Sequence, residues 1–268
     1  FNTSRPAALE EEAVFRAISL AEVVDCPLYV PHVTAVRALR PIRRAQAEGR
    51  RVFAETCPQY LSLTAASLHQ LGPLIKIGPP VRGQADQEAL WQALAEGSLD
   101  TIASDHAPKA KSRTDEFFSA PFGSPQVETM LSLAFHGGVH GGKLSVSRLV
   151  QLMSENPARI FGLYPQKGVI RSGSDADLVL FDPHKPYRIS HSNQHSHAPY
   201  TVYEGRDVVG GVALTMQRGE IIFQNGELVA SRGRARFLPT RAGQAPVSQL
   251  APKRSTSLNA PPGGSVSV

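Results

Sequence analysis

Apolar and polar positions fall in alternating blocks along this chain. Four short apolar runs, "LYVPHV" from Leu28, "RVFAETC" from Arg51, "LIKIGPP" from Leu74 and "DTIASDHA" from Asp100, begin 23, 23 and 26 residues apart. Runs of that length, rich in β-branched residues, predict strands. Between them, "AVRALRPIRRAQAEG" and "QADQEALWQALAEG" carry apolar residues at helical spacing and end on a glycine suited to a left-handed C-cap. Another helix is predicted before the first strand. Pro6 lies near its first turn, Glu10 to Glu12 favour that end, and Ala13, Ala17, Ala21 and Val24 form the expected inward face. Strand and helix alternating at this period predict βαβ units and a parallel sheet.

The pattern then changes twice. Residues 125–162 read as helical: "PQVETMLSLAFHGG", then "VSRLVQLM" capped by Ser145, then "ARIFGL" opened by Pro157. From about residue 165 the texture becomes short strands with Gly and Asn turns: "GVI", "ADLVLF", "TVYEG" and "GVALTMQRGEIIFQNGELV", with Asn225-Gly226 as a hairpin turn. This predicts a second, antiparallel all-β module. Four parallel strands do not close a β/α barrel, which needs eight, and no Gly-rich phosphate loop marks a nucleotide crevice. The chain opens on Phe1 with a helix close behind, so the expectation is that an N-terminal part is missing or is supplied by another chain.

Composition narrows the picture. The 268 residues are 41% hydrophobic and 19% charged, enough for a large buried core. No apolar run is long enough for a membrane span, and no signal peptide is visible. Two cysteines, Cys26 and Cys57, give no disulfide framework and suit a reducing compartment, so cytoplasm is expected. The formal charge of +5 is misleading as a nucleic-acid signal. Residues 232–268 hold six basic side chains and no acid, which leaves the first 231 residues one unit negative. That Pro-, Ser- and Gly-rich tail reads as disordered and solvated.

Chemistry is expected where the strands end, at His32, Glu55-Thr56-Cys57, Gly78-Pro79-Pro80 and Asp105-His106. Imidazole and carboxylate from separate strand ends can converge on one metal ion, and a carboxylate beside a metal-activated water can relay its proton. On pattern alone the plainer readings stand beside these. His32 fits an apolar strand as a core residue, and Asp105 before a proline turn can serve as a cap. Cys57 reads as a small buried hydrophobe rather than a nucleophile, Trp91 and Phe15 as core. His191, His195 and His197 in "HSNQHSH" imitate a metal cluster but sit in a loop-like stretch.

The words around these residues add a resemblance. "LYVPHVT", "AETCPQYLSL", "KIGPPVR", "SDHAP", "PFGSPQVETML" and "NPARIFGLYPQKGVIRSGSDADLVLFDP" occur in this order. From about Phe1 to Leu228 the chain resembles the C-terminal half of the dihydropyrimidinase/hydantoinase branch of the cyclic amidohydrolases, with allantoinase and dihydroorotase as near relatives. The resemblance implies an α/β fold: the C-terminal half of a metal-dependent hydrolase TIM-like (β/α) barrel over residues 1–164 and β-sandwich strands over 165–231; the basic tail read from composition occupies 232–268. It implies hydrolysis of a cyclic amide C–N bond, by ring opening of a dihydropyrimidine or hydantoin through metal-activated hydroxide at a two-metal centre, usually zinc.

His32 would be a metal ligand. Asp105 would be both a metal ligand and the catalytic proton shuttle. Gly78, Phe122, Gly123 and His106 would face the substrate. The family's His-x-His pair, carboxylated lysine, further metal His and substrate Tyr belong to the half not present here. Gly78 and Phe122 stand where hydantoinases commonly carry Ser and Asn. "SDHAP" and "PFGSP" lean toward allantoinase or dihydroorotase, "ETCPQYL" and "GSDADLVLFDP" toward hydantoinase. The partners implied are a small cyclic amide and further copies of the chain, a homotetramer, with no nucleic acid or membrane. The alternatives are an allantoinase- or dihydroorotase-like hydrolase, or a non-catalytic dihydropyrimidinase-related scaffold protein.

Overall fold

In the computed structural model, which describes residues 1–240, strand and helix alternate through the first hundred residues. Helix α1 (Ala7–Val23) leads into strand β1 (Leu28–Val30), and α2 (Val36–Ala47) into β2 (Val52–Thr56). Short helices α3 (Pro58–Ser62) and α4 (Leu68–Leu71) follow, and α5 (Gln84–Glu96) leads into β3 (Thr101–Ile102). The three strands are parallel in the order β1-β2-β3, with Leu28 opposite Val52, Val30 opposite Ala54 and Thr56 opposite Ile102. Val30, Val52, Ala54 and Thr56 are buried, whereas Tyr29, Phe53 and Glu55, on the other face by strand alternation, are half-buried.

Helices α2 and α5 form as the periodicity predicts. Ala38, Leu39, Ile42 and Ala45 are buried on α2 while Arg37, Arg40, Arg43 and Arg44 face water. Leu90, Trp91, Ala93 and Leu94 do the same for α5, and the Trp91 indole N–H donates to the Leu61 carbonyl at 3.1 Å. The glycine beyond each helix, Gly49 at φ +77° and Gly97 at φ +95°, takes the left-handed turn. The start of α2 has no side-chain cap of its own. Glu10 of α1 accepts from the Thr34 and Ala35 N–H groups at 2.7 and 3.2 Å, and Asp86 of α5 accepts from Val36 N–H at 2.9 Å. Arg82 closes that junction, donating to Glu10 Oε2 and Thr34 Oγ1 at 3.0 Å each.

Three expectations need correcting. "LIKIGPP" is not a strand: Gly72–Ile75 form a 3₁₀ turn, and β2 pairs directly with β3. Pro79 and Pro80 bring no N–H to a sheet, so the segment cannot sit between two strands; its apolar side chains Leu74, Ile75 and Ile77 are buried all the same. The inward residues of α1 are Val14 and Ile18, while Ala13 and Val24 are exposed; Phe15, expected in the core, is 55% exposed, because it lies about 100° round the helix from Val14 and off the buried stripe. "GVI" and "TVYEG" form turns and irregular backbone rather than strands.

Helices α6 (Met130–Ala134), α7 (Val146–Val150) and α8 (Asn156–Ile160) fill the predicted helical stretch, which begins later than the periodicity suggests. Wider π turns follow α6 at Phe135–His140 and α7 at Gln151–Glu155. Gly137 is there for close approach: a Cβ on it would lie 2.7 Å from the Trp91 ring. Ser145 Oγ accepts from Arg148 N–H at 3.1 Å, the cap expected of it. Asn156 Nδ2 donates to the Asp100 carbonyl at 2.8 Å and so ties α8 to β3.

Strands β4 (Leu178–Arg188), β5 (Asp207–Gln217), β6 (Glu220–Gln224) and β7 (Glu227–Leu228) make an antiparallel sheet in chain order. Its tight turns are Arg218-Gly219 and Asn225-Gly226, all four residues at positive φ. One apolar core runs from Val14 to Val208 through both sheets' supporting segments. Arg234, early in the basic tail, pairs with Glu220 on β6; residues 241–268, and with them most of that tail, lie outside the described residues. Among the described residues no helix is long and apolar enough to cross a membrane.

Leu94, fully buried on α5, gives a direct check of this core. Leu94→Ala in the full-length gene product is expected to lower unfolding free energy by about 2–5 kcal/mol, measured by denaturant titration.

Candidate functional site

The parallel register delivers the ends of β1, β2 and β3 to one rim. His32 lies two residues past β1, and Asp105 three past β3. Both are half-buried and both hold positive φ, 41° and 49°, a region non-glycine residues seldom occupy. They feel each other electrostatically. Burial raises the Asp105 carboxyl above its ordinary range, with the Glu55 carboxylate adding to the rise; His32 and the Gln59 amide act in the opposite sense.

Gln59 at the start of α3 donates Nε2–H to Asp105 Oδ2 at 2.8 Å. Glu55, at the end of β2, accepts from the His32 backbone N–H at 3.3 Å and from the Tyr29 hydroxyl at 2.5 Å. That hydroxyl also lies 2.6 Å from Thr101 Oγ1. Burial, then Glu55, pushes the Tyr29 phenol far up, so it stays a neutral donor. Cys57 behaves as predicted for a buried hydrophobe: it is 0% exposed, and burial followed by the Glu55 and Asp105 charges raises its thiol.

The residues expected to face a substrate form a second group. Gly78 is exposed, and a Cβ there would lie 3.1 Å from the Phe122 ring. Gly123 is buried at φ +108°, where a Cβ would come within 2.5 Å of Ala107 Cβ. Its N–H donates to the Lys76 carbonyl at 3.0 Å. His106 is exposed; its Nδ1 accepts from the Gln126 and Val127 N–H groups at 3.0 and 3.2 Å, which leaves Nε2 as the outward atom. His32 and Gly78 line one cavity of about 570 Å³, walled on its far side by Leu9, Val14 and Arg82.

Two buried lysines, absent from the sequence reading, hold these loops together. Lys76 Nζ donates to the Phe118 and Ala120 carbonyls, both at 2.6 Å, and Lys111 Nζ to the Leu74 and Lys76 carbonyls at 3.0 and 3.2 Å. Glu55, Gln59 and Tyr29 are the other residues left without a role. The available signal was a carboxylate inside an otherwise apolar strand run.

Among the described residues no group of three or more His, Cys, Asp or Glu side chains is placed to hold a metal ion. The imidazole of His32 and carboxylate of Asp105 are donors that zinc accepts, so the chain fits part of such a centre. His191, His195 and His197 do not form a cluster; His195 is instead paired through Nδ1 with Glu128 Oε1 at 2.7 Å.

Comparison with known proteins agrees with this architecture. Residues 61–222 match the amidohydrolase family, and the chain belongs to that family. It is 38% identical over 251 residues to a D-phenylhydantoinase of Escherichia coli O1:K1 / APEC, across 91% of this chain and 54% of the relative. Among solved structures, the dihydropyrimidinase from Brevibacillus agri NCHU1002 superposes with a TM-score of 0.81 at 38% identity, covering 84% of this chain and 50% of that one. The L-hydantoinase (dihydropyrimidinase) from Arthrobacter aurescens gives 0.79 at 37%, covering 84% and 51%. The resemblance to the dihydropyrimidinase/hydantoinase branch is borne out. The chain spans about half the length of the curated relatives it matches.

Two measurements check the electrostatics. Iodoacetamide at neutral pH is expected to label exposed Cys26 and to spare Cys57 until the protein unfolds; rapid native labelling of Cys57 contradicts the described packing. Burial and then the neighbouring Lys76 depress Lys111 to about 8, against an ordinary 10.5, with Asp115 acting in the opposite sense. Between those values the unfolded chain binds more protons than the folded one, so this residue's contribution to stability rises with pH. Wild type should therefore gain stability relative to Lys111→Met between pH 8 and 10, read by denaturant titration at each pH.

Proposed function

We propose that the complete protein hydrolyses the C–N bond of a cyclic amide, a dihydropyrimidine or hydantoin ring, with this chain supplying the C-terminal part of the barrel and strands of a β-sandwich, divided near residue 164. The observation that carries the reading is the identity to a D-phenylhydantoinase across nearly the whole chain. The meeting of His32 and Asp105 at one rim supports it.

In this reading His32 and Asp105 are donors to a zinc centre whose other ligands lie outside the chain. Zinc, when bound, supplies a water acidic enough to ionise near neutral pH. Asp105 would take the proton and deliver it to the ring nitrogen as the C–N bond breaks. Gly78, Phe122 and Gly123 bound the ring, and His106 presents Nε2 to it. A cytoplasmic homotetramer belongs to the same reading, and the two unpaired cysteines fit a reducing compartment.

A second reading concerns the ring. Gly78 and Phe122, side by side, stand where hydantoinases commonly carry Ser and Asn, which speaks against their pyrimidine-ring specificity, and the "SDHAP" and "PFGSP" segments favour an allantoinase- or dihydroorotase-like substrate. Retention of His32 and Asp105 speaks against a non-catalytic scaffold.

In the full-length gene product, Asp105→Asn is expected to lower turnover of dihydrouracil or hydantoin by about 10²–10⁴-fold, with an unchanged unfolding midpoint. Unchanged turnover removes Asp105 from the chemistry. Residues 1–268 alone should open neither ring; ring opening by that segment with bound metal contradicts the division of the centre.

A further inference from the structure

One five-residue segment touches both proposed zinc donors. At its first residue, Glu55 Oε1 accepts from the backbone N–H of His32, while Oε2 accepts from the Tyr29 hydroxyl. At its last, Gln59 Nε2 donates to Asp105 Oδ2 at 2.8 Å. Gln59 is 0% exposed, yet its Oε1 has no hydrogen-bond partner. An amide that only packed a core would turn to satisfy its oxygen. Here the amide cannot turn, because the flip would set its oxygen against the Asp105 carboxylate. The orientation is dictated by Asp105 at the expense of Gln59's own hydrogen bonding.

The backbone gives the reason for such a device. His32 and Asp105 both sit at positive φ, a conformation that persists only when the surroundings over-determine it. The segment between Glu55 and Gln59 is well suited to impose it. Glu55 is fixed by β2 pairing with Thr101, and Gln59 by α3, which starts on Pro58 at its first position. Thr56, Cys57 and Gln59 are fully buried.

We propose that Glu55 and Gln59 form a positioning bracket: Glu55 fixes the His32 backbone and Gln59 fixes the Asp105 carboxylate, so that both donors are held in place for the metal centre. The inference rests on the metal-centre reading above. Neither side chain carries a proton in the reaction. Both are positioning residues, acting as hydrogen-bonding partners of metal ligands commonly do.

The test uses the full-length gene product and Gln59→Met, which keeps the side chain's length and removes the amide, with Glu55→Gln as a second variant that retains one acceptor for His32. Zinc affinity is read by competition with a chelating dye, and unfolding midpoints confirm that the variants are folded. Gln59→Met is expected to weaken zinc about 10–100-fold and to lower kcat with KM little changed. Glu55→Gln should show a smaller loss of the same kind. Crystal structures of metal-free wild type and Gln59→Met read the bracket independently, with the Asp105 carboxylate expected to move from its wild-type place. A folded Gln59→Met protein with wild-type zinc affinity, or with an unmoved carboxylate, overturns the bracket. Wild type that binds zinc no better than a His32→Ala, Asp105→Ala double variant sinks the metal-centre reading, and the crystal structures alone then decide the bracket.

Discussion

Parallel register is the constraint on which this molecule is arranged. Because Leu28 pairs with Val52 and Thr56 with Ile102, three chain segments leave the sheet at the same rim, with nearly the same rise. Residues 32, 57 and 105 are far apart in sequence and become neighbours only through that alignment. A buried carboxylate reinforces it from within: Asp100 Oδ2 accepts from the Ala54 N–H at 2.9 Å, so the approach of β3 to β2 is set by a side chain as well as by the ladder. A sheet of this kind stands only with helices on its face, which α2 and α5 provide through Leu39, Ile42, Leu90 and Leu94.

Where regular structure stops, side-chain donors take over the work of pairing. The segment after α4 is bounded by Pro73, Pro79 and Pro80, which have no N–H to give a sheet, and Lys76 and Lys111 tie it in place instead. Their ammonium groups gather four backbone carbonyls and fasten the loop carrying Phe122 and Gly123 beside Gly78. On the other flank, Glu10 and Arg82 join α1, the turn after His32 and the backbone beyond Pro80; the pair is nearly sealed from solvent, with exposures of 11% and 9%. A buried ion pair seldom adds much stability by itself, but here its carboxylate also satisfies the free N–H groups at the start of α2, so the charge is fully used.

Much of this was legible in the chain. The periodicities of α2 and α5, their glycine ends, the Ser145 cap and the Asn225-Gly226 turn all depend on residues within one turn of each other, and local physics decides them. His32 and Asp105 were legible as strand ends. "LIKIGPP" failed because its apolar content was genuine but its prolines could not pair. The inward face of α1 was misplaced for a related reason: alanines and valines share the helical spacing, and only a neighbouring surface chooses between Ala13 and Val14.

What the sequence determined by itself was therefore the alternation of elements, their caps and the family to which their motifs belong, since these follow from short-range pattern. The tertiary structure alone decided which side chains serve the rim. Glu55, Gln59, Lys76 and Lys111 hydrogen-bond to partners that lie 23 to 46 positions away. Hydrogen bonding is directional and short-ranged, so a partner at such separation exists only once the backbone has brought it within about 3 Å.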